Sequence, residues 1–112
     1  MIQDNITGKV EIRKGYYNSG ALKSVTPYVY ENIHGVEKYY YETGALWWEA
    51  PYENGKRHGI LRNYYATGAL WFETPFVNGV QHGIERRYDK DKTNIRCLTL
   101  YDKDHEVTSI II

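Results

Sequence analysis

The chain has 112 residues, 14 basic and 14 acidic, with twelve tyrosines, three tryptophans and one cysteine. That length fits a single domain, and the charge balance excludes a global field drawing the protein to nucleic acid or an anionic membrane, leaving only local stripes of one sign. A single Cys97 excludes an intrachain disulfide and a cysteine-rich zinc site; it reads as a packed small hydrophobe in a reducing, cytoplasmic protein.

At the N-terminus, residues 1–15 alternate polar and apolar types without the hydrophobic run of a secretory signal. Nowhere does the chain hold the roughly 18 apolar residues of a membrane helix. From residue 8 onward the sequence repeats every 24 residues, giving approximate repeats 8–31, 32–55, 56–79 and 80–103 and a closing cap strand over 104–112, all within one domain, 1–112. Gly20, Gly44 and Gly68 share one turn, Gly35, Gly59 and Gly83 another, and Pro27, Pro51 and Pro75 a third position. Further columns read Ile12, Val36, Ile60, Ile84, then Lys14, Lys38, Arg62, Arg86, then Tyr16, Tyr40, Tyr64, Tyr88.

Within the third repeat, His58-Gly59 precedes a strand over 60–65, Thr67-Gly68 turns the chain, a second strand covers 70–76, and Asn78-Gly79 turns it again. Glycine at the second central position accepts the positive φ of a tight hairpin. A two-residue turn at Thr67-Gly68 pairs Arg62 with Glu73, Tyr64 with Trp71 and Tyr65 with Leu70. One repeat earlier the same register pairs Lys38 with Glu49 and Tyr40 with Trp47. In the outer repeats Lys14 meets Val25 and Arg86 meets Cys97, so the acid is lost where terminal copies act as caps. Alternation places Ile60, Arg62 and Tyr64 with Trp71, Glu73 and Pro75 on one face. Leu61, Asn63, Tyr65, Leu70, Phe72, Thr74 and Phe76 form the other, more apolar and better buried. Proline cannot donate to a ladder, so Pro51 and Pro75 mark strand ends or bulges. The fold expected is all-β: an antiparallel meander of repeated hairpins forming an elongated single-sheet solenoid.

Past Tyr88 the turn 89–94 has no glycine, a strand covers 95–101, and 107–112 ends in Ile110, Ile111 and Ile112. That last segment reads either as a strand closing the sheet or as an apolar edge that self-associates with a second copy into a homodimer.

The motif Asn78-Gly79-x-x-His82-Gly83, with Tyr64-Tyr65-x-x-Gly68-x-Leu70-x-x-Glu73, resembles the bacterial variant of the MORN repeat found in the YwqK-type antitoxin-component family. The resemblance spans about residues 8–103. It implies a 24-residue β-hairpin repeat, protein or lipid binding at most, and at its finest an antitoxin role. No room remains beside the repeats for a catalytic domain of roughly 100 residues.

No catalytic residue, cofactor or metal ligand is expected, and no nucleic-acid partner. His34, His58 and His82 recur, but equivalent positions lie two strands apart, roughly 9–10 Å, too far for imidazoles whose bonds to a shared zinc are about 2 Å each. The feature most like a binding surface is the row Lys14, Lys38, Arg62 and Arg86, interleaved with Tyr16, Tyr40 and Tyr64 and flanked by Trp47 and Trp71. Glu49 and Glu73 face the central two bases and neutralise them. The leading reading is a non-enzymatic scaffold binding another protein; the weaker alternative is peripheral binding of anionic, phosphoinositide-like headgroups through the basic-aromatic row.

Overall fold

Between the glycine and asparagine turns, Val, Ile, Thr and Tyr recur in segments too short and too β-branched to coil, and they extend instead. The computed structural model describes residues 9–90 and 94–112. Residues 1–8 and 91–93 lie outside the described residues, and with them the start of the first repeat and the middle of the turn expected over 89–94.

Twelve strands follow: β1 (Val10–Tyr16), β2 (Leu22–Val29), β3 (Asn32–Ile33), β4 (Gly35–Tyr40), β5 (Leu46–Glu53), β6 (Lys56–Arg57), β7 (Gly59–Tyr64), β8 (Leu70–Val77), β9 (Val80–Gln81), β10 (Gly83–Tyr88), β11 (Ile95–Asp102) and β12 (His105–Ile111). They form one open antiparallel sheet in the order β1-β2-β4-β5-β7-β8-β10-β11-β12, with β3, β6 and β9 extending the hairpins of β2, β5 and β8. The described residues contain no helix. The body measures 51 × 36 × 21 Å with a radius of gyration of 16.4 Å, against about 13 Å for a compact chain of this length. The expected elongated meander is therefore the observed fold, and β12 closes the sheet by pairing with β11.

Arg62 pairs with Glu73, Lys38 with Glu49 and Lys14 with Val25, as the sequence register requires. The turns behind those pairs differ from the expectation. Tyr65 donates its N–H to the Ala69 carbonyl at 2.9 Å and Gly68 donates to Tyr65 at 2.9 Å, so three residues, Ala66, Thr67 and Gly68, form the loop. Gly68 takes the left-handed position, φ +97°, that such a loop demands. This shifts the pairing by one residue, and a bulge between Asn63 and Tyr64 shifts it back: Tyr64 faces Leu70 and Trp71 has no partner. Tyr40 likewise faces Leu46, with Trp47 in the bulge. The expected pairs Tyr64–Trp71, Tyr65–Leu70 and Tyr40–Trp47 are thus replaced. At the last hairpin Arg86 pairs with Leu98 and Arg87 with Cys97, because the turn after Tyr88 is one residue longer than the repeat predicts.

The opposite turns at Asn54-Gly55 and Asn78-Gly79 are two-residue hairpins with positive φ at both positions, as read. Pro51 lies opposite the break between β6 and β7. Its carbonyl accepts the His58 N–H at 3.0 Å, and no ladder donor is needed from its own nitrogen.

Among the described residues the sheet has no second layer, so its core is a line. Thr26, Glu37, Ala50, Leu61, Thr74 and Thr99 are buried. They lie side by side across the strands, Glu37 opposite Ala50, Leu61 opposite Thr74 and Glu85 opposite Thr99. Thr26 donates to Glu37 at 2.7 Å and Thr74 to Glu85 at 2.8 Å, satisfying polar groups that burial would otherwise penalise.

Candidate functional site

The two faces of the sheet differ in how they cover themselves. On the core face, long rings lie over the buried line. Tyr39 stacks on Trp48 with centroids 4.4 Å apart. The Arg57 guanidinium stands 5.4–5.9 Å from the rings of Trp48, Tyr52 and Phe76 and donates to the Tyr52 hydroxyl at 3.1 Å. Such cation–ring contacts close that face over itself.

The opposite face carries the predicted charges in a single row. Following the pairing across the sheet, Lys14, Val25, Lys38, Glu49, Arg62, Glu73, Arg86, Leu98 and Ile110 are successive neighbours. Bases and acids alternate through its centre. Arg62 Nε donates to Glu73 at 3.2 Å. Among the described residues, no carboxylate lies within ion-pairing distance of Lys14, Lys38 or Arg86. Both acids are held by tyrosines from the next repeat: Tyr64 donates its hydroxyl to Glu49 at 3.0 Å, and Tyr88 donates to Glu73. Burial first, and then these carboxylate bonds, push the Tyr64 and Tyr88 phenols above the ordinary tyrosine range.

Parallel to this row runs an aliphatic stripe that sequence reading treated only as a repeat column. Ile12, Val36, Ile60 and Ile84 pair with Pro27, Pro51, Pro75 and Leu100. Their exposures are 53%, 45%, 38% and 43%. Short branched side chains cannot fold over one another as the rings of the core face do, so the stripe stays open. A cleft of about 330 Å³ between Val36, Pro51, Ile60, Glu49 and Arg62 joins stripe to row. A second, of about 190 Å³, lies between Ile84, Leu98, Leu100, Thr108 and Ile110. The signal available in the sequence was the aliphatic column itself, set two residues before each base.

Of the predicted aromatic companions, Tyr16, Tyr40 and Tyr64 pair with Leu22, Leu46 and Leu70 beside the row, and Tyr16 is exposed. Trp47 and Trp71 do not flank it. The bulges turn them to the hairpin ends, where Trp47 stacks on Tyr41 at 5.5 Å and Trp71 on Tyr65 at 4.9 Å and against Phe72 at 5.0 Å. The same tyrosines tie repeats together: Tyr17, Tyr41 and Tyr65 donate their hydroxyls to the carbonyls of Tyr40, Tyr64 and Tyr88 at 2.6, 2.6 and 3.0 Å.

The recurring histidines have a structural task. Nδ1 of His34, His58 and His82 accepts the backbone N–H of Asn54, Asn78 and Lys103 at 3.3–3.4 Å, latching each turn to the next. Among the described residues no group of histidine, cysteine and carboxylate side chains is placed to hold a metal ion. Cys97 contacts the Ser109 and Thr99 hydroxyls at 3.2 and 3.7 Å. These bonds, Ser109 first, hold its thiol below the ordinary range. At the far edge Ile110, Ile111 and Ile112 stand exposed.

Residues 33–54 and 57–78 match the family model described as MORN repeat variant. The two central hairpin units are the segments similar to that repeat. No curated protein and no solved structure matches the chain.

Proposed function

We propose that the chain is a non-enzymatic scaffold that binds a segment of another protein on the face carrying the aliphatic stripe and the Lys14-to-Arg86 row. Support comes from one observation above all: Ile12, Val36, Ile60 and Ile84 form an open apolar line bordered by Lys14, Lys38 and Arg86, which lack ion partners among the described residues. Apolar lines of this kind, rimmed by charge, mark docking surfaces. The partner's chemistry follows as aliphatic side chains for the stripe and carboxylates for Lys14, Lys38 and Arg86. At a finer level, in keeping with the resemblance to antitoxin components, that partner is a toxin neutralised by capping.

Capture from the source cell at mild salt tests this reading. A stoichiometric partner is expected that is lost with Ile60→Glu and with Lys38→Glu and retained with Tyr52→Phe on the opposite face. Failure to recover any such protein, or capture indifferent to the first two changes, counts against the proposal. The toxin reading further requires that the partner arrest growth when expressed alone and that co-expression relieve it. Flotation with anionic vesicles decides the headgroup alternative: binding at low salt that Arg62→Glu and Lys38→Glu abolish would replace the protein reading. Glu49 and Glu73 alternate with the bases along the row and lower its net positive potential, which weighs against that outcome.

A further inference from the structure

Among the described residues the open sheet has two edge strands, β1 and β12, and they are guarded very differently. β1 carries Glu11, Arg13 and Lys14, with Arg13 paired to Glu11 at 2.9 Å, the charged treatment that keeps an edge from pairing with other chains. β12 has no charge after Glu106. Ile110, Ile111 and Ile112 are 56%, 79% and 62% exposed.

The pairing of β12 with β11 is regular from Thr108 to Ile111, and Ile112 donates its N–H to the Arg96 carbonyl at 2.8 Å. In an antiparallel strand the backbone groups of alternate residues point to opposite sides. Ile112, Ile110 and Thr108 therefore face β11, and the N–H and C=O of Ser109 and Ile111 point off the free edge. On the face of the charged row, Ile110 borders the cleft formed with Ile84, Leu98 and Leu100, so the apolar surface runs without interruption to that edge.

We propose that this edge is the seat of a second copy of the chain, joined by antiparallel pairing of β12 with its symmetry mate about a two-fold axis at Ile110. Ser109 then meets Ile111 of the other copy, each pair exchanging both N–H···O bonds, and Ile110 meets its own counterpart in a non-hydrogen-bonded position. No side chain in the overlap, 108–112, is charged. Head-to-tail pairing of β12 with β1 would instead set isoleucines against Glu11, Arg13 and Lys14. Across the two-fold the clefts at Ile84, Leu98, Leu100 and Ile110 join into one apolar seam, and the two sheets become a single sheet.

The native chain should have twice its 13.2 kDa mass in light scattering across a dilution series. Ile110→Lys sets two ammonium groups on the axis and should raise the dimer dissociation constant by roughly tenfold or more, with an unchanged far-ultraviolet spectrum. Because directly opposed, non-hydrogen-bonded residues lie about 4.5 Å apart at Cα, Ile110→Cys on a Cys97→Ser background should form an interchain disulfide under mild oxidation, and Ile12→Cys on the same background should not. A monomer at all concentrations overturns the proposal, as does a dimer indifferent to Ile110→Lys or one cross-linked through residue 12. Loss of the dimer without loss of partner capture, or the reverse, separates this edge from the docking face.

Discussion

Tyr64 and Tyr88 show how a single side chain serves two repeats. Each ring rises from its own hairpin and donates its hydroxyl to the carboxylate of the preceding one, Glu49 or Glu73. Only the neutral phenol can donate that bond, and burial opposes the phenolate further, so both groups keep their protons to higher pH than in the unfolded chain. The unfolded chain releases phenolic protons near pH 10. Above that point it binds fewer protons than the folded chain, and stability falls as pH rises; below it the contribution is fully present. Urea midpoints measured from neutral pH to about pH 11 should therefore decline on the alkaline side. Replacing both residues by Phe should make the decline shallower without removing it, because burial also raises Tyr39, Tyr41 and Tyr101. An equally steep decline in the double variant would show that these two hydroxyls are not the groups responsible.

At the scale of the hairpin, the His-Gly element and the proline across from it form one device. Gly59 has φ +119°, and a Cβ there would stand 2.8 Å from Pro51 Cγ, whereas nothing lies within 4 Å of the same position at Gly68, φ +97°. Gly68→Ala should therefore cost only the left-handed backbone preference, about 1 kcal/mol, and Gly59→Ala roughly 1–3 kcal/mol more severe in total because the proline ring must also move. Adding Pro51→Ala to Gly59→Ala removes the contact but not the φ strain, so denaturation midpoints should recover in part; equal penalties at the two glycines would refute the close approach. This pair also shows what the sequence made legible. The 24-residue columns reveal that glycine and proline recur together, and the charges fix Arg62 opposite Glu73. Loop length is less visible, since Thr67-Gly68 suits a two-residue or a three-residue turn equally. The added loop residue and the bulge at Trp71 cancel beyond Asn63, so the charged register came out right while Trp71 itself lay on the wrong side. The tryptophans were read onto the binding face for that reason. The aliphatic stripe was missed for another: alternation places Ile60 on the less buried face, but the charges and rings of that face drew the binding surface to the row, although Ile12, Val36, Ile60 and Ile84 stand open beside it.

Across the whole molecule, every long strand pairs only with its neighbours along the path from β1 to β12, and the ties between repeats, from Tyr41 to Tyr64 and from His58 to Asn78, are again nearest-neighbour. Stability in such an array is a sum of unit and interface terms, without a central core on which all parts depend. Removing residues 56–79 joins Gly55 to Val80 and leaves the turn, the charged row and the tyrosine hydroxyl ties in phase, because one full period is lost. That shortened chain should still fold and still carry the β12 edge. Its urea m-value should fall by about one fifth, in proportion to the 24 of 112 residues removed, and its unfolding midpoint should drop with the lost interface. Deleting 56–67 instead, half a period, joins β5 to the sequence of β8 through a short turn that can only form an antiparallel hairpin, so two second-strand sequences meet and the Arg62 and Tyr64 partners of Glu49 and Glu73 are lost. Mismatched side chains then face each other at that seam, and the chain should not give a single cooperative transition. If both deletions behaved alike in denaturation, the sheet would not be held repeat by repeat as its hydrogen bonds indicate.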